Sequence, residues 1–99
     1  MPSFSASHRL RRGRYSEQNR IYLLTANTLG RQPIFLNWRV GRRVVEQFKR
    51  AQEQGLATSL AWVVMPDHFH WLISLDKGSL DELMCRTKSL STRAINQST

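Results

Sequence analysis

The sequence predicts an α+β fold, one antiparallel sheet with two helices on a single face, in the order β-α-β-β-α. Three observations lead there. Apolar residues recur at helical spacing in two stretches, 37–54 and 79–95, while three other stretches are β-prone and apolar. The second and third of these, 56–65 and 68–75, are separated by Pro66 and Asp67 alone, so they form an antiparallel hairpin. At 99 residues and 40% apolar, the chain has room for one small core.

Each element has its own signal. Residues 1–19 are polar and basic and read as an N-terminal arm ahead of a domain at 20–99. "RIYLLTANT", 20–28, is a strand, and "LGRQP", 29–33, a turn or loop. The first helix runs from about Asn37, a good N-cap, to Gln54, with Gly55 as its stop. Val40, Val44, Val45, Phe48 and Ala51 mark its inner face, and Arg39, Arg42, Arg43, Lys49 and Arg50 lie mostly off it. "LATSLAWVVM" and "HFHWLISL" make the hairpin, with Trp62 and Trp71 as core candidates. The second helix starts after Ser79, whose spacing to Glu82 is that of a capping box, and runs to about Ile95. Its buried stripe is Leu80, Leu83, Met84, Thr87 and Leu90. This order is a ferredoxin-like unit without its last strand. That strand would pair beside the first, so the sequence reads as a domain incomplete at its C-terminus, with a bare sheet edge.

Composition narrows the function. No stretch approaches the ~18 consecutive apolar residues of a membrane helix, and the first twenty residues lack the apolar region of a secretory signal. The single cysteine, Cys85, cannot form an internal disulfide, which suits a reducing cytoplasm. Lys and Arg total 15 against 7 Asp and Glu, a net charge of +8, and such an excess points to a polyanion, above all nucleic acid.

The chemistry concentrates in "MPDHFHWLI", residues 65–73. Alternation along a strand puts His68 and His70 on one face and Phe69, Trp71, Ile73 and Leu75 on the other, a face suited to packing under the helices. Imidazoles at this spacing stand roughly 6–7 Å apart along the strand and can converge on one ion. Asp67, if counted into the strand, points to the other face. Two histidines with an open remainder suit a transition metal, Mg²⁺ or Mn²⁺ that keeps waters and substrate oxygens. They do not make a closed structural zinc site. Periodicity alone leaves both sheet faces open as the exposed one.

In its context, "WVVMPDHFHWLI" resembles the HUH-type single-tyrosine (IS200-like) transposases, in particular the REP-associated tyrosine transposases. "GRYSEQNRIYLLT", "RQPIF" and "SLDELMCRTKSLSTRAIN" are similar to the family's other blocks, in order, from about Arg12 to Asn96. The resemblance implies that His68 and His70 hold Mg²⁺ or Mn²⁺ and that single-stranded or hairpin DNA is cut and rejoined through a phosphotyrosine link. It implies a nucleophilic tyrosine on a further helix, expected beyond residue 99, so no catalytic residue is assigned within the chain. Tyr22 reads as a packing residue, and Tyr15 belongs to the binding segment. DNA contacts are expected from Arg9, Arg11, Arg12, Arg14 and Tyr15 in the arm, and more weakly from Lys88 and Arg93. Monomer and homodimer both remain open. Two other functions stay in view: a hairpin-DNA-binding fragment that cuts nothing, and an unrelated ferredoxin-like RNA-binding module.

Overall fold

A computed structural model describes residues 18–97; the arm residues Arg9, Arg11, Arg12, Arg14 and Tyr15 lie outside them. The elements are β1 (Ile21–Asn27), two short 3-10 turns (Leu29–Arg31 and Ile34–Leu36), α1 (Trp38–Glu53), β2 (Ala57–Met65), β3 (His68–Leu75) and α2 (Leu80–Gln97). The sheet order is β1-β3-β2, with β3 antiparallel to both neighbours. The fold is therefore α+β, compatible with a partial ferredoxin-like unit. The outer side of β1 has no strand partner among the described residues. No helix there is long and apolar enough to cross a membrane.

Local chemistry sets the helix ends. Asn37 Oδ1 accepts the Arg39 amide at 3.0 Å, capping α1. At its far end Gly55, at φ +75°, allows a paired closure: the Leu56 amide bonds the Ala51 carbonyl and the Gly55 amide that of Gln52. Before α2, the Glu82 amide donates to Ser79 Oγ at 3.1 Å while Glu82 Oε1 accepts the Ser79 amide at 3.1 Å. Ser79→Ala removes half of this reciprocal cap, so the folded state should lose about 1 kcal/mol, read as a lower urea midpoint with an unchanged slope.

The core lies between the helices and one sheet face. Phe69, Trp71, Ile73 and Leu75 are fully buried there, as their alternation predicts. Phe48 reaches down from α1 and stacks on Trp71 with ring centroids 4.3 Å apart, and meets Phe69 edge-on at 5.1 Å. The Trp71 indole N–H donates to Ser59 Oγ at 2.8 Å, so this buried ring leaves no orphaned donor. Trp62 packs against Phe48, yet its place on the outer strand leaves it 39% exposed.

Some boundaries differ from the sequence reading. Val45 and Leu90 are only half-buried. In their place Gly41 and Gln47 complete the α1 face, and Ser91 and Ile95 continue the α2 stripe. Steps of four from Thr87 through Ser91 to Ile95 follow the helical period, and small or polar side chains hid that line. The "LGRQP" segment is a turn as read: Leu29–Arg31 forms one 3-10 turn, and a second, Ile34–Leu36, follows it.

Candidate metal and nucleic-acid site

With the helices covering one sheet face, the other is open among the described residues, and His68 and His70 stand on it. Antiparallel register sets their neighbours: Asn27 and Met65 flank His68, and Thr25 and Val63 flank His70. The exposed apolar side chains Leu23, Val63 and Met65 share this face. The imidazole centroids lie 5.0 Å apart with planes at 78°.

Each ring is held by its Nδ1. His68 Nδ1 lies 2.7 Å from Asp67 Oδ1, and His70 Nδ1 lies 2.8 Å from Thr25 Oγ1. A carboxylate only accepts, so His68 donates its Nδ1–H to Asp67, and Nε2 is the nitrogen left to meet a ligand. The Thr25 hydroxyl can accept from His70 in the same way. Neither Nε2 has a partner among the described residues. Histidines that bind metal through one nitrogen are held through the other in this manner, which fixes tautomer and ring orientation.

Asp67 lies outside the strand, so the condition under which it would point to the other face does not hold. It belongs to the turn before β3, so strand alternation does not govern it, and its carboxylate reaches the histidine side. Its second oxygen accepts from Arg31 Nε at 2.9 Å. The hydrogen bond from His68, and then that from Arg31, hold its carboxyl below the ordinary value, so it is ionised at neutral pH. The turn itself is held to the loop after β1. The Thr28 amide donates to the Asp67 carbonyl at 2.9 Å, and the Phe35 amide donates to that of Pro66 at 2.9 Å. The buried Thr28 hydroxyl is shared between the carbonyls of Gln32, at 2.7 Å, and Asp67, at 3.1 Å.

Other expected site residues are dispersed. Lys88 is half-buried on α2, where desolvation pushes its ammonium pKa down. Arg93 is exposed and lines a cleft between the helices with Arg43, Glu46 and Arg50, on the layer away from the histidines. Tyr22 pairs with Ile73 and packs against the core from the helix-covered face. Thr25 and Arg31 were not singled out from sequence. Thr25 breaks an otherwise apolar strand, but only the register places it against His70.

Among the described residues no group of three His, Cys, Asp or Glu side chains could hold a metal. What is present fits a divalent ion with most of its coordination left to water or substrate: two imidazoles on one face with ring centroids 5.0 Å apart, and one ionised carboxylate behind His68.

Comparison with known proteins gives the family. No curated protein and no solved structure matches the chain. The family model described as "Transposase IS200 like" matches residues 17–99, a span that contains both histidines and every described strand and helix. The chain belongs to the IS200-like transposase family.

Proposed function

We propose that this chain is the metal-holding and DNA-gripping part of an enzyme that cuts and rejoins single-stranded or hairpin DNA, of the REP-associated type. The observation that carries the proposal is the pair of held imidazoles, each with Nε2 free, on the open sheet face of a chain in a transposase family.

In this reading His68 and His70 hold Mg²⁺ or Mn²⁺ through Nε2. The ion, when bound, polarises the scissile phosphate and stabilises charge that develops on it. Asp67 and Thr25 keep the rings oriented, so no reorganisation is needed when substrate arrives. The nucleophile is a tyrosine outside the described residues, because Tyr22 packs on the helix-covered face. Attack by such a hydroxyl forms a phosphotyrosine bond and releases a 3′-OH, and reversal on a second end rejoins strands. The arm residues Arg9, Arg11, Arg12, Arg14 and Tyr15, with Lys88 and Arg93, are proposed DNA contacts.

The test combines a labelled hairpin oligonucleotide, this chain and Mn²⁺. Anisotropy should rise on mixing, and the complex should weaken steeply with added salt. A denaturing gel should show no covalent adduct with these 99 residues. An adduct would place the nucleophile within them, at Tyr15 or Tyr22; absence of binding would refute the DNA-gripping role.

A further inference from the structure

Arg31 adopts a backbone conformation that side chains seldom take. Its φ is +56°, directly after Gly30 at +65°. Non-glycine residues are uncommon in this left-handed region. Nothing in the turn itself calls for arginine, and glycine would fit that backbone without conflict.

The side chain accounts for the choice. Arg31 Nε donates to Asp67 Oδ2, and the other oxygen of Asp67 accepts from His68, so the guanidinium sits one carboxylate away from the histidine pair. The loop that carries it is bonded to the same turn through Thr28 and Phe35, which fixes where the guanidinium can be. Only Nε is engaged. The two Nη groups have no partner among the described residues, and the side chain is 58% exposed. A guanidinium held by one edge presents its other donors in a fixed plane, the geometry that matches a phosphate.

We propose that Arg31 binds, through its Nη edge, a DNA phosphate next to the one at the histidine pair, while its Nε steadies Asp67 against His68. This rests on the reading of the open sheet face as the DNA site. It adds a positively charged anchor at the hairpin end of the sheet. It also places one arginine in contact with both the substrate and the carboxylate behind a metal ligand.

The experiment measures hairpin-oligonucleotide affinity by anisotropy in EDTA, across a salt series, on the 99-residue chain. Mn²⁺ affinity is measured separately without DNA. Arg31→Gly removes the side chain at a backbone suited to glycine, and Arg31→Gln gives the same readout should the glycine variant not fold. Arg50→Gln, at the opposite end of α1, is the equal-charge control. Arg31→Gly should weaken metal-free binding about five- to tenfold and flatten the slope of log affinity against log salt by about 0.7, one single-strand phosphate contact. Arg31→Lys should retain most of the slope, and Arg50→Gln should barely change it.

An unchanged DNA affinity with weakened Mn²⁺ binding would overturn the proposal and reduce Arg31 to a positioning residue. Equal losses in Arg31→Gly and Arg50→Gln would overturn it in favour of diffuse attraction. Failure of the unmodified chain to bind DNA would instead refute the reading of the face itself, and this inference with it.

Discussion

Replacing His68 and His70 together with alanine should abolish measurable Mn²⁺ binding, a loss of more than about 100-fold, followed by the electron paramagnetic resonance of free Mn²⁺ in a titration. The scale follows from what lesser changes cost: loss of a residue that merely supports a metal ligand already weakens binding by ~10–100-fold. Here the two proposed ligands themselves go, and among the described residues no group of three His, Cys, Asp or Glu side chains offers a site in their place. The fold should survive. Both side chains stand on the open face, and among the described residues their hydrogen bonds to Asp67 and Thr25 are the only side-chain bonds removed. Metal-free DNA binding should survive as well, because it depends on the cations. Asp67→Asn should give an intermediate loss, about tenfold, since the amide can still accept from His68 but no longer carries charge. If the double variant bound Mn²⁺ as tightly as the parent, the histidines would not be the metal ligands.

Phe48→Ala should cost about 3–5 kcal/mol of folding stability, read from urea denaturation followed by tryptophan fluorescence. Phe48 is fully buried and touches three aromatic rings, Trp62, Phe69 and Trp71, from a single position on α1. Truncation would leave a cavity at the junction of the first helix with both hairpin strands. A small domain has only ~5–15 kcal/mol in total, so the variant should sit near its unfolding midpoint at room temperature. The consequence reaches the site, because the histidines and the rings that face Phe48 alternate along one strand. Leu36→Ala is the contrast: at 73% exposure its removal should change stability by no more than ~0.5 kcal/mol. A loss below 1 kcal/mol for Phe48→Ala would mean that the core is far more plastic than its packing indicates.

The local features were legible in the sequence. Asn37, Gly55 and the Ser79–Glu82 pair announced the helix ends, and each does so through a bond between residues at most five apart in the chain. Alternation in "HFHWLISL" separated the histidines from the core aromatics, since a period of two is a property of the strand alone. Which face is open was not legible, because that depends on where α1 and α2 dock. Thr25 and Arg31 were missed for a similar reason. Thr25 meets His70 across 45 positions and Arg31 meets Asp67 across 36, and only the strand register and the docked loop bring them together. The side on which Asp67 stands was not legible either, because it depends on whether the strand includes that residue, and the strand begins at His68.

β3 is the middle strand, with a ladder on each side. Breathing motions start at sheet margins, where one set of bonds holds a strand, and they release β1 or β2 while β3 stays paired to the other. The backbone that spaces the two imidazoles is thus among the last parts of the sheet to loosen. Thr25 is on a margin of the sheet that the described residues form, however. Fraying of β1 would free the His70 ring to rotate while its backbone stayed in register, whereas His68, steadied from its own turn, would keep its orientation. The two halves of the pair thus have different lifetimes, and His70 sets how long the matched geometry persists.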